Sequence, residues 1–212
     1  MKTIYLDLDG TILDVSDRLY QIYKDVITSF KCKPLSKTRY WWLKRNKIGE
    51  GEIVVITCPR RVISPYLKKR CSLIESLKYL KHDKLNPNVL KTLKILKENY
   101  RLVLMTFRIS RRNLRSELKK LGLILLFDKI LIGDKHEYES KIRLIKEDMH
   151  PNAIIIGDTE EDVLTGQKLR IKTIAVSNGM RTRKFLASLK PDYLVTSLSG
   201  VLKILGMRDH RG

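Results

Sequence analysis

Six short apolar runs rich in β-branched residues recur along the 212-residue chain: TIYLDL (3–8), LVLMT (102–106), KILI (129–132), AIIIG (153–157), KTIAV (172–176) and YLVT (193–196). A strand that is apolar at nearly every position has no side suited to water, so such strands belong in a parallel sheet covered on both faces. The stretches between most of them are helical in pattern. RRNLRSELKKLG sets Leu114, Leu118 and Leu121 at helical spacing and ends on Gly122, a C-cap residue. VLKTLKILKEN presents Leu90, Leu93 and Leu96 or Ile95 in the same manner. Strand and helix in alternation predict an α/β fold.

Residues 15–86 break this rhythm. They fall between the first and second strands and are far too many for one crossover helix, so they read as an insertion. VSDRLYQIYKDVITSF and YLKKRCSLIESLKYLK each read as an amphipathic helix, and GEIVVIT as either a strand or part of a helix. The expected organisation is a core of residues 1–14 and 87–212 with a mostly helical domain, 15–86, inserted after the first strand. In open α/β sheets ligands bind beyond the carboxyl ends of the strands, where such an insertion would lie.

A hydrophobic fraction of 43% with 31% charged residues suits a folded globular chain and argues against disorder. No apolar run approaches the roughly 18 residues of a membrane helix. The opening residues read as a strand rather than a secretory leader, which sets the cytoplasm as the expected location and excludes a membrane partner. Cys32, Cys58 and Cys71 form no CxxC pair and read as plain thiols. The formal charge is +20, and residues 15–86 carry 17 Lys and Arg against 6 Asp and Glu. Such a surface attracts anions, whether phosphorylated metabolites or nucleic acid; a Lys-rich solvated surface is the plainer reading.

Polar residues concentrate where the apolar runs end. Asp7 and Asp9 follow the first strand, with Gly10 and Thr11 next; Gly157 and Asp158 follow the fourth, with Asp162 four residues on. Two carboxylates this close cannot both ionise cheaply without a cation. On a helix starting near Thr159, Asp158 and Asp162 would share one face. Asp7, Asp9, Asp158 and Asp162 together form an oxygen-rich set suited to Mg2+. Thr106 offers a hydroxyl, Lys141 an ammonium and the turn at Gly10 its backbone amides, the groups that hold a phosphoryl group. Taken alone, Asp7–Gly10 would be a turn and Gly157–Thr159 a helix cap. Their conjunction at the ends of successive strands points to a phosphoryl-transfer site.

The residues DLDGT, Thr106, Lys141 and GDTEED (157–162) resemble the four motifs of the haloacid dehalogenase superfamily of phosphohydrolases. Flanking segments, NPNVLKTLKILKEN, IAVSNG and PDYLVTSLSGVLKIL, extend the likeness over most of the core and are similar to the phosphoglycolate phosphatase-like branch. The resemblance implies a Rossmann-like core with a helical cap and a phosphoric monoester hydrolase that uses Mg2+. By position, Asp7 would be the nucleophile that forms an aspartyl-phosphate, and Asp9 the acid and base. The metal would be held by the Asp7 carboxylate, the Asp9 carbonyl and Asp158, with Asp162 as ligand or support; Thr106, Lys141 and Gly10 would hold the phosphoryl oxygens. A carboxylate at Asp9 favours phosphoryl chemistry over carbon–halogen cleavage. The expected substrate is a small phosphorylated metabolite, with nucleotides, nucleic-acid ends or a phosphomutase reaction as alternatives, and the oligomeric state stays open.

The chain departs from the family pattern at two places. Lys141 is followed by Ile142 where the family often has Pro, which makes Lys135 the fallback. Phe107 and Arg108 follow Thr106 where Asn or Gly is common, and Arg108 reads as solvent-facing rather than as a phosphate contact. Trp41 and Trp42 read as packing in the inserted domain rather than as a platform for a base.

Overall fold

A computed structural model of the chain describes residues 1–134 and 139–207. Met1–Asp14 and Leu85–Gly212 make one compact unit, Val15–Lys84 a second. The chain opens with β1 (Lys2–Asp7) and the short β2 (Leu13–Asp14). It then runs through α1 (Ser16–Ser29), α2 (Lys37–Arg45), α3 (Glu50–Val54), α4 (Ile63–Leu73) and α5 (Leu77–Leu80) to the short β3 (Lys84–Leu85). Helices and strands then alternate: α6 (Val89–Lys97), β4 (Tyr100–Thr106), α7 (Arg111–Lys120), β5 (Lys129–Ile132), α8 (Ser140–Glu147), β6 (Ile154–Gly157), α9 (Glu160–Leu169), β7 (Lys172–Val176), α10 (Arg183–Ser188), β8 (Tyr193–Val195) and α11 (Gly200–Ile204).

The six apolar runs are the six strands of one sheet, ordered β5-β4-β1-β6-β7-β8 and parallel throughout. Side chains alternate across it. Tyr5, Val103, Met105 and Ile155 pack on one face with Ile145 of α8 and Ala153. Ile4, Leu6, Leu102, Leu104 and Ile156, at the intervening positions, are equally sealed from solvent. Burial of both faces is why these strands lack the polar alternation of a half-exposed sheet. This is the α/β, Rossmann-like architecture expected. From β1 the chain moves outward to β4 and β5, then returns to β6 on the other side of β1 and continues to β7 and β8. The connections after β1 and β6 therefore leave in opposite directions, and this opens a crevice at the carboxyl ends of those two strands.

The second unit is helical. α1 buries Leu19, Ile22, Tyr23, Val26 and Ile27, one stripe of a 3.6-residue repeat. Tyr23 stacks on Tyr40 of α2 with ring centroids 4.6 Å apart, and Tyr66 of α4 meets Tyr23 edge-on. A carboxylate sits among these rings: Glu50 accepts hydrogen bonds from the Tyr40 hydroxyl at 2.9 Å and the Tyr66 hydroxyl at 2.6 Å, and pairs with Lys44 at 3.0 Å and Arg70 at 3.3 Å.

One open local reading is resolved and three expectations change. GEIVVIT contains helix α3, because Glu52 closes its first turn on the Gly49 amide at 2.7 Å. YLKKRCSLIESLKYLK is two helices, α4 and α5, because the chain turns between Leu73 and Leu77, where the Ser76 amide donates to the Leu73 carbonyl. Trp42 is 54% exposed and carries the Arg39 guanidinium 4.8 Å above its ring; the tyrosines fill the interior it was expected to occupy. Cys32 and Cys58 are joined as a disulfide with Cα atoms 5.7 Å apart, whereas Cys71 is an exposed thiol. Their separation of 26 residues carries no pairing signature. Among the described residues no helix is long and apolar enough to cross a membrane.

Burial alone would raise the Glu50 carboxyl, but the Arg70 and Lys44 charges and the Tyr66 hydroxyl outweigh it and hold it down to about 2, from an ordinary 4.5. A lowered carboxyl stabilises the fold above its ordinary range, and that stability is lost as pH falls through about 2. Glu50→Gln should therefore cost about 3 kcal/mol of unfolding free energy near neutral pH by stranding buried cations. The deficit should shrink towards pH 2, as read by urea denaturation at both ends of that range.

Candidate active site

β1 ends at Asp7, and the chain folds back immediately: Ile12 and Leu13 amides donate to the Leu8 carbonyl, and the Gly10 amide donates to Leu13 at 2.8 Å. The Gly10 amide is thus used inside the turn and is not directed at a phosphoryl group, contrary to the expectation for it. Gly10 serves by lacking a side chain. Its φ is +100°, and a Cβ there would lie 2.0 Å from the Asp158 carboxylate. Asn86 pins the turn, its side-chain amide donating to the Gly10 and Thr11 carbonyls at 3.1 Å each.

Lys141, in the first turn of α8, reaches the end of β1. Its ammonium donates to Asp7 Oδ1 at 2.6 Å and to Asp162 Oδ1 at 2.5 Å, and it lies 5.2 Å above the Phe107 ring. Lys135 lies outside the described residues. Asp162 is the third residue of α9, and its other oxygen accepts from the Thr159 amide at 3.1 Å and hydroxyl at 2.7 Å. It both caps its helix and anchors Lys141, which leaves it the least available of the carboxylates as a direct metal ligand. Gly157 makes room for it, since a Cβ there would fall 2.0 Å from the Asp162 carboxyl carbon.

Asp158 precedes α9 rather than lying on it, so the shared helix face expected for Asp158 and Asp162 is not what unites them. Asp158 is wholly buried and accepts from the Thr11 hydroxyl at 3.0 Å and the Met180 amide at 2.5 Å. Burial, reinforced by Asp162, pushes its carboxyl up to about 7. Burial also raises Asp7 well above the carboxylate range; Lys141 opposes that shift, whereas Asp162 and Asp158 add to it. Burial disfavours the Lys141 ammonium, but Asp162 and Asp7 more than offset this and keep it charged.

Three buried carboxylates share one ammonium, so they cannot all ionise cheaply without a further cation. Among the described residues no three Asp, Glu, His or Cys side chains form a ready metal cage. Mg2+ does not need one, because it takes one or two carboxylates and keeps waters. Asp7 and Asp158, pushed up by burial and by neighbouring carboxylates, are groups that a cation would return to the ionised form, so the donor set fits.

Thr106 ends β4. Since Asp7 pairs with Met105, Thr106 stands one residue further along the neighbouring strand at the same sheet edge. Its hydroxyl accepts from the Arg108 amide at 3.2 Å. Arg108 corrects the sequence expectation outright. It is 4% exposed, and its guanidinium grips Asp9 with both oxygens, Nε to Oδ2 at 3.0 Å and Nη2 to Oδ1 at 2.6 Å, while Nη1 donates to Glu117 at 2.7 Å. Two carboxylates draw it inward. Glu117, Asn86 and Met180 were given no role in the sequence; Asn86 stood there only as the first residue of the flanking segment NPNVLKTLKILKEN.

Residues 4–176 match the family model described as haloacid dehalogenase-like hydrolase. The chain is 24% identical to the pyrophosphatase PpaX of Oceanobacillus iheyensis over 97% of each chain, and 28% identical to that of Bacillus cereus over 97% of this chain and 96% of the relative. Among solved structures, a haloacid dehalogenase-like family hydrolase from Streptococcus pneumoniae superposes with a TM-score of 0.79 at 22% identity, covering 97% of this chain and 98% of that one. A predicted phosphatase from Clostridium acetobutylicum gives 0.77 at 21%, covering 97% and 99%.

Removing the ammonium would leave Asp7 and Asp162 buried without a cation. Lys141→Met should lower the unfolding free energy by about 3 kcal/mol or more. Adding Asp162→Asn to Lys141→Met should cost less than the two single losses together, a coupling that urea denaturation of all three variants measures.

Proposed function

Because the chain belongs to the haloacid dehalogenase-like hydrolases, we propose that it is a Mg2+-dependent phosphatase that passes the phosphoryl group of a small phosphorylated metabolite first to Asp7 and then to water. The observation that carries this reading is the Lys141 ammonium 2.6 Å from Asp7 Oδ1. It favours the ionised nucleophile and offers a charge to the phosphoryl oxygens as they approach.

Lys141 engages Oδ1 of Asp7, so Oδ2 is the oxygen that attacks phosphorus. As the bond from phosphorus to the leaving oxygen breaks, Asp9 delivers a proton to that oxygen. Asp9 then takes a proton from the water that attacks the aspartyl-phosphate, and Asp7 is regenerated. Thr106 donates to a phosphoryl oxygen from the neighbouring strand. Mg2+ would be held by the Asp7 carboxylate, the Asp9 backbone carbonyl and Asp158, with Asp162 supporting them through Lys141, and it would neutralise charge on the transferring group. In the same reading the helical unit is the substrate-reading cap, and the cytoplasm is where the enzyme works.

The relatives named pyrophosphatases make pyrophosphate a candidate beside sugar phosphates and phosphoglycolate. The exposed Trp42 beneath Arg39 favours nucleotides or nucleic-acid ends as the second reading.

A phosphate-release screen across those esters and phosphorylated oligonucleotides should find at least one substrate whose turnover EDTA abolishes. Asp7→Asn should lower that turnover by about 10^3-fold or more. Full activity in Asp7→Asn, or turnover indifferent to Mg2+, would refute the reading. Mg2+ should also raise the unfolding temperature of the parent protein and not that of Asp158→Asn.

A further inference from the structure

We propose that Arg108 and Glu117 are positioning residues for Asp9: Arg108 holds the Asp9 carboxylate at rest, and Glu117, by sharing the guanidinium, keeps that hold loose enough for Asp9 to turn to the leaving oxygen. This deepens the reading of Asp9 as the proton-transferring residue and rests on it.

The geometry defines the problem. Both oxygens of Asp9 are engaged by Arg108, at 3.0 and 2.6 Å, in the forked contact that makes arginine–carboxylate pairs strong and directional. A carboxyl held by both oxygens is not at the leaving group. For proton transfer the contact must open and the released carboxylate must take up a proton from water before it reaches the leaving oxygen, and opening a buried pair ordinarily strands a charge at a large cost. Glu117 changes that cost. It lies on α7, 7% exposed, with Oε2 2.7 Å from Arg108 Nη1. A guanidinium already paired with one buried carboxylate keeps a counter-charge when the second leaves, so departure of Asp9 forfeits two hydrogen bonds and strands no cation. The asymmetry in exposure fits: the Arg108 and Glu117 side chains are 4% and 6% exposed, whereas that of Asp9 is 33% exposed and is the member able to swing.

The test compares kcat/KM for two esters in one preparation, an alkyl phosphate, whose leaving oxygen needs a proton, and nitrophenyl phosphate, whose phenolate does not. Their ratio cancels the fraction of folded protein. Glu117→Gln, which removes the competing charge and keeps the shape, should lower the alkyl ester by about 10-fold or more and nitrophenyl phosphate far less. Adding Arg108→Gln to Glu117→Gln, which abolishes the grip, should return the ratio towards that of the parent. Equal loss on both esters, no loss in Glu117→Gln, or a ratio that the second substitution does not restore would overturn the inference. A parent protein inactive on both esters would instead overturn the phosphatase reading, and this inference with it.

Discussion

The sheet's carboxyl edge is organised around one buried ammonium. Lys141 faces Asp7 from β1 and Asp162 from α9, and Asp158 after β6 is close enough to add to the charge both feel. No element could supply this arrangement alone. Parallel pairing of β1 with β6 aligns the two strand ends, α8 brings the cation in its first turn, and α9 presents Asp162 by folding its own first turn around Thr159. The result is a site kept short of positive charge by construction. A divalent cation relieves that imbalance, and only then can the site accept the further negative charge of a phosphoryl group.

The signals that were legible in the sequence are those that burial imposes on many residues at once. The strands stood out because a parallel sheet sealed on both faces demands apolar residues at consecutive positions, and α1 because five buried side chains repeat along one stripe. Asp7 and Asp158 stood out because each follows such a segment, whereas Lys141, in the first turn of a helix, was picked out through the resemblance to the family's third motif. GEIVVIT was ambiguous because a four-residue apolar run satisfies both a strand and a buried helical turn, and only the Glu52 to Gly49 closure decides between them.

The misreadings share a different cause. Arg108 seemed solvent-facing because an arginine in a loop usually is, and one of its partners lies 99 residues earlier in the chain. Gly10 was given a role for its amide, whereas the tight turn consumes that amide and uses the missing Cβ instead. Trp42 was read as interior packing, yet it is exposed, and the interior beside Glu50 holds Tyr40 and Tyr66, each of whose hydroxyls donates to one carboxylate oxygen. Each depends on a partner distant in sequence or on backbone geometry, neither of which composition and spacing encode.

Glu50 has a consequence for how such a chain can diverge. Its partners come from α2 and α4, and its own backbone belongs to α3, so three helices are tied at one interior point. Surface residues of those helices then contribute little to holding them together and are free to drift. Mutational robustness concentrated in a hidden knot lets the outer residues be re-sampled over generations, so that new recognition properties can arise there without the unit first having to be rebuilt.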